Sequence, residues 1–383
     1  MISMPVDTLF PTVTEMAPVT PIASRQVVGV PAMARMIREA RGLLVKDLAD
    51  MVGRSSSYIS KVEAGTVELV GEPLEEYARA LDVSADLLAT KYEPVALEGA
   101  HFRSHTSTPM RIRKQAVAEA NWAHLFLELL LDLGEFTHPR ALPQVDADLV
   151  GGGGAAVADI VRRTWRITGR IENMTSLLES AGVFVLTFPH DHRHVDAVTV
   201  RGEGVTAVIM VRDDLPPERR RWTLAHELAH LVMDDFSTLE PRMLEARADA
   251  FAGQFLAPFE DLADDLENIT PSQIEHLDGL RRYWGISLPA LVRTAYNGGC
   301  ITEHQYRYWF RVLNAQGRLR GARDGEWVER PQAAGMLVEN LRSEGYSLQE
   351  LVGQARTRPG DLERRLGSQW PWKAAPALTS VPR

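Results

Sequence analysis

The stretch RWTLAHELAH, residues 221 to 230, sets two histidines four positions apart with a glutamate directly after the first. On an α-helix residues four apart share a face, so His226 and His230 can present two ring nitrogens to one ion, at about 2.0 to 2.1 Å if it is zinc. Glu227 lies about a hundred degrees around the helix from His226, off the metal and beside a water that the metal would acidify. That is the position of a general base. The flanking Trp222, Leu224, Ala225, Leu228, Ala229, Leu231 and Val232 leave few polar positions on this segment, so the helix reads as buried. Two histidines and a carboxylate in such a place need partners.

A third ligand has to come from another element. HELAHLVMDDF offers Asp234 and Asp235 but no following Gly-x-x-His, so the three-histidine pattern is absent. In LEARADAFA, Glu245 and Asp249 are four apart on one helical face. One can bind the ion while the other orients a ligating histidine through its free ring N–H. Glu245 is assigned to the metal and Asp249 to the orienting role, giving His226, His230 and Glu245 around one zinc ion per chain. Tyr283, Tyr296, Tyr306 and Tyr308 are candidates for holding the oxyanion of a cleaved peptide bond, and none is singled out. HDHRH, from His190 to His194, sits between two strand-like runs and reads as a solvated hairpin loop.

These residues must be positioned by a chain of 383 residues, long enough for two or three folding units. Against 42 Lys and Arg stand 51 Asp and Glu, a formal net charge of −9, which argues against indiscriminate polyanion binding and confines any DNA contact to a local face. A lone cysteine, Cys300, excludes an intramolecular disulfide framework and a Cys-rich zinc site, and fits a reducing cytoplasm. The N-terminus has no positive start feeding an apolar core, and the apolar WAHLFLELLLDLGEF is too short and too interrupted to span a bilayer. No membrane partner is expected.

The pattern predicts a multidomain, mainly α protein. Residues 1–28 read as a flexible arm and 29–92 as a helix-turn-helix domain of four or five short helices punctuated by Gly42, Gly53 and Gly65. Residues 93–154 read as a helical connector with a glycine-rich linker at Gly151 to Gly154. That linker lacks the Gly-Lys-Ser/Thr ending of a phosphate loop. An α+β core at 155–265 holds the motif and a small sheet, antiparallel at VDAVTV and VTAVIMV; a helical C-terminal region at 266–350 and a polar tail at 351–383 follow.

VKDLADMVG followed by SSSYISKVEAG matches two helices joined by a glycine turn, the second lying in the DNA major groove. Ser56, Ser57, Tyr58, Ser60 and Lys61 are the candidate base-contacting residues, with Ser55 or Ser56 as cap and Ile59 and Val62 facing the core. Glu68, Glu72, Glu75 and Glu76 crowd its later part and weaken phosphate affinity.

Three blocks together resemble the ImmA/IrrE metallopeptidases in the long form with an N-terminal XRE-type helix-turn-helix. REARGLLVKDLADMVGRSSSYISKVEAG is similar to the XRE module, RRRWTLAHELAHLV to the family's metal block, and LEARADAFAGQFLAP to its Glu-x-x-Ala-Asn-x-Phe-Ala block, with Asp249 where Asn is common. The resemblance implies a zincin-like, gluzincin-type zinc endopeptidase that inactivates a specific DNA-binding repressor and so controls stress-response or mobile-element genes. Its partners would be the repressor as substrate and operator DNA; the oligomeric state stays open. Leu44 and Val45 stand where the XRE pattern usually has a capping Ser or Thr and a Gln near the DNA backbone, and both changes remove polar contacts, so the module is open to recognising a related repressor by protein contact instead of DNA. The alternative is a DNA-binding regulator whose peptidase-like domain senses and does not cut.

Overall fold

The computed structural model describes residues 27–104, 108–134, 136–188, 194–202, 206–233, 240–319 and 329–369. The expected arm up to residue 26, the histidine cluster from His190 to Arg193, Asp234, Asp235 and the chain beyond Gln369 lie outside them.

Strand β1 (Val28–Gly29) precedes five helices, α1 (Pro31–Ala40), α2 (Val45–Val52), α3 (Ser56–Glu63), α4 (Glu72–Leu81) and α5 (Ala85–Leu88), with β2 (Leu69–Val70) pairing back antiparallel to β1. Each turn is written in the sequence. Gly53 adopts φ +65° at the end of α2, a left-handed position that glycine takes without a Cβ clash, and the Ser55 side chain accepts from the Tyr58 N–H at 3.2 Å to cap α3. Ile59 and Val62 are buried in the bundle with Met33, Ile37, Leu48 and Leu74.

The chain then forms β3 (His101–Ser104) and the long helix α6 (Met110–Leu131). After α7 (Gly153–Thr164) and α8 (Met174–Glu179) come β4 (Val183–Thr187), β5 (Val195–Arg201) and β6 (Ala207–Val211). The four longer strands make one sheet in the order β3-β5-β6-β4, antiparallel except for the parallel pair β4 and β6. Helices α9 (Pro217–Val232) and α10 (Pro241–Leu256) follow, then α11 (Phe259–Leu266), α12 (Ile274–Trp284), α13 (Leu288–Asn297) and α14 (Glu303–Ala315), and finally α15 (Ala333–Ser343), α16 (Leu348–Gln354) and α17 (Pro359–Leu366). The protein is mainly helical with small sheets. No described helix is long and apolar enough to cross a membrane.

The sheet is covered on both faces, which explains why β4 and β6 read as unbroken apolar runs rather than alternating ones. Val183, Val185, Ala197, Ile209 and Val211 pack toward α7, α9 and α10. Phe184, Leu186, Val198, Val200 and Met210 pack toward α6 and α15 to α17.

Residues 93–154, expected as a connector, are built into this body. β3 extends the sheet, and α6 presses Ala120, Ala123 and Leu127 on the sheet side and Ala118, Trp122 and Leu125 on the helix-turn-helix bundle. A helix covered on opposite faces shows no single apolar stripe, so its sequence reads as a packed helical connector without saying that it packs on both sides. The polar stretch after residue 350 likewise folds, because Leu351, Leu362 and Leu366 bury against α6 and the sheet. It also grips the bundle. Arg41 stacks over Trp122 at 5.0 Å and pairs with Asp361 at 3.1 Å, while the Ser84 hydroxyl donates to the Arg356 carbonyl at 2.8 Å.

Gly151 to Gly154, expected as a linker, open α7, and Gly154 lies directly against α10. A Cβ there would stand 2.0 Å from the Arg247 carbonyl oxygen, so only glycine permits this approach. Gly154→Ala forces the two helices apart and is expected to cost about 1 to 3 kcal/mol, or more if the backbone cannot shift. An unchanged chemical-denaturation midpoint would contradict it.

Candidate metal centre

Helix α9 begins with Pro217 in its first turn, where the missing N–H costs nothing, and is anchored along its length by arginines. Arg219 donates to the Asp196 carboxylate on β5 at 2.8 Å; Arg221 pairs with Glu329 and donates to the Ile171 carbonyl at 2.7 Å. Glu329 also accepts from the Thr175 N–H at 2.9 Å, tying α8 to the same point. Burial pulls the Arg221 guanidinium below its usual range, opposed by Glu329.

At the other end of α9, His226 and His230 are buried and their Nε2 atoms lie 3.2 Å apart. Glu245 reaches over from α10, with Oε2 3.3 Å from His226 Nε2 and Oε1 3.7 Å from His230 Nε2. These three side chains form a group that could hold a metal ion. Ligands about 2.0 to 2.1 Å from a tetrahedral zinc stand about 3.4 Å from one another, so the separations fit that ion.

Asp249, one turn on from Glu245, lies 3.0 Å from His226 Nδ1. A carboxylate there accepts, so Nδ1 carries the proton and Nε2 turns its lone pair toward Glu245 and His230. The Trp222 indole N–H also donates to Asp249 Oδ1 at 3.3 Å, and the indole ring lies over Gly253.

Glu227 is fully buried. Its Oε2 accepts from the Thr199 hydroxyl on β5 at 2.6 Å, and its Oε1 has no hydrogen-bond partner. An uncompensated buried carboxylate oxygen is costly, and a water beside the three donors would relieve it. The structure therefore brings together His226, Glu227, His230, Glu245 and Asp249.

It adds two residues that spacing did not point to. Thr199 could have been noticed as a polar residue on the inward face of the apolar run AVTV. His101, on β3, stacks on the His230 ring with centroids 4.3 Å apart and planes 10° from parallel; nothing in AHFRSH announces it. The four tyrosines make ring contacts of their own. Tyr283 lies under Arg170, Tyr296 against Tyr306, and Tyr308 under Arg311.

In the helix-turn-helix, Ser56, Ser57, Ser60 and Lys61 are exposed on α3, while Tyr58 is half-buried against Tyr77 with Arg54 over its ring. Leu44 is 48% exposed at the start of α2, where its own N–H donates to Asp47 at 2.8 Å. Arg38 and Glu63 pair inside the bundle through two contacts of 2.6 and 2.8 Å, so that arginine is spent on the fold.

Because Asp249 sets the His226 tautomer from outside the donor set, Asp249→Ala is expected to weaken zinc binding about 10- to 100-fold without unfolding the protein. Competition with a chromophoric chelator measures this, and an unchanged affinity would remove Asp249 from the centre.

Residues 178–296 match the sequence profile of the IrrE N-terminal-like domain, peptidase M78, and residues 35–88 match a helix-turn-helix profile. The first match contains α9 and α10 with all five clustered residues; the second contains α2 and α3. No curated protein and no solved structure matches the chain significantly. The two matches stand in the order that the sequence motifs give, a helix-turn-helix of the XRE type ahead of a stretch similar to the IrrE N-terminal-like domain of peptidase M78.

Proposed function

We propose that the protein is a zinc-dependent endopeptidase that controls transcription by cleaving a DNA-binding repressor, in the cytoplasm, with its helix-turn-helix recognising operator DNA. The observation that carries this reading is the convergence of His226, His230 and Glu245 beside the unpartnered, buried Oε1 of Glu227. A zinc ion held by those three would supply Lewis acidity, making a water a nucleophile near neutral pH and polarising a carbonyl.

The chain's own residues do the rest. Thr199 fixes Glu227 through Oε2 and leaves Oε1 to take the proton of the attacking water. The same carboxyl then delivers that proton to the departing amine. Asp249 holds His226 in one tautomer throughout. The repressor as substrate is supported by the pairing of an M78 domain with a helix-turn-helix in one chain.

Glu227→Gln keeps the shape of the site and removes the base. It is expected to retain about one zinc per chain and to lower cleavage at least about 100-fold. Full-rate cleavage by this variant would sink the peptidase reading, and a regulatory phenotype indifferent to the change would favour a sensor that does not cut. For the helix-turn-helix, Lys61→Ala is expected to weaken DNA binding evenly across sequences and to reduce the salt slope by about 1. DNA binding that ignores this change would point to recognition of a protein instead.

A further inference from the structure

Hydrolysis of a peptide bond gathers negative charge on the carbonyl oxygen, and a donor aimed at that oxygen is worth a large part of the rate. Glu227 is an acceptor for the water, and Asp249 faces the back of His226.

His101 and Thr199 are directly paired across β3 and β5. Facing residues of an antiparallel pair point to the same side of a sheet, so both side chains project at the motif helix. Thr199 meets the base, and His101 meets the metal-binding histidine, its ring parallel to that of His230. His101 is half-buried, so it is reachable from solvent, and β3 is an edge strand of its sheet. It also lies well outside residues 178–296.

We propose that His101 is a catalytic residue that donates a ring N–H to the scissile carbonyl oxygen as it becomes an oxyanion. This rests on the peptidase reading. The water oxygen bonds to the carbonyl carbon, its proton passes to Glu227, and the π pair moves onto the oxygen that His101 holds. That pair then re-forms the carbonyl, the C–N bond breaks, and the amine leaves with the proton returned by Glu227. His101 ends the cycle unchanged.

Two substitutions separate donation from stacking. His101→Phe keeps an aromatic ring against His230 and removes the donor; His101→Gln keeps a donor and removes the ring. The full-length, zinc-loaded protein is assayed on the fastest-cleaved peptide from a mixed-sequence quenched-fluorescent library. Zinc affinity and the visible spectrum of the cobalt-substituted protein serve as readouts independent of turnover. For His101→Phe, kcat is expected to fall about 10²- to 10³-fold, with KM within about twofold and metal affinity and spectrum unchanged. His101→Gln is expected to recover part of the rate. Wild-type turnover by His101→Phe, or loss of turnover in both variants in step with lost metal affinity, would overturn the proposal and leave His101 as packing for His230. A wild-type protein that binds zinc and cleaves no peptide would instead overturn the peptidase reading, and the proposal with it.

Discussion

The site depends on how closely α10 can lie against its neighbours, because Glu245 must reach two histidines on a different helix. Side chains at the contact set the distance between helix axes, and small ones permit the nearest approach. α10 carries Ala248 and Ala252 at fully buried positions and Gly253 under Trp222, while Gly154 of α7 removes the Cβ that would strike the Arg247 carbonyl. The ligands of a zinc ion would tolerate little displacement, so for the proposed chemistry this spacing would matter beyond packing. The run LEARADAFAG serves both needs: its small residues face the core and its two acids face the metal helix.

A second constraint is charge in a dry place. Helix α9 buries arginines, histidines and glutamates along one length, and each would be unaffordable alone. They are arranged by function. The arginine end is neutralised by Asp196 and Glu329 and fixes the helix, whereas the histidine end keeps its donor atoms turned toward one point and one carboxylate oxygen without a partner. The paired arginines hold the helix still, and the buried Glu227 Oε1, beside the three donors, marks a place for a solvent molecule.

Much of this was legible in the sequence because it is local. The i, i+4 spacing of His226 and His230, the Glu245 and Asp249 pair, the capped turn at Gly53 and Ser55 and the antiparallel hairpin of β5 and β6 all follow from periodicities within a dozen residues. What was not legible is non-local. His101 reaches the centre through strand pairing with Thr199, a contact between residues almost a hundred positions apart that leaves no spacing to count. The same reason hid the part played by α6: a helix buried on opposite faces shows neither stripe nor polar side. The glycines at 151 to 154 were ambiguous in kind, since flexibility and close approach call for the same residue.

The sharing of α6 has a further consequence. Ala118, Trp122 and Leu125 complete the core of the helix-turn-helix bundle, yet they belong to the helix that backs the sheet. The two modules are therefore not beads on a string that recombination could exchange freely. A chain lacking the first ninety residues would turn that stripe to water, at about 1.5 to 3 kcal/mol for each large side chain, and would shed the bundle whose Arg41 and Ser84 hold Asp361 and Arg356. An evolving copy that discarded its helix-turn-helix would have to rewrite the outer face of α6 in the same step, which binds the inheritance of one module to the other.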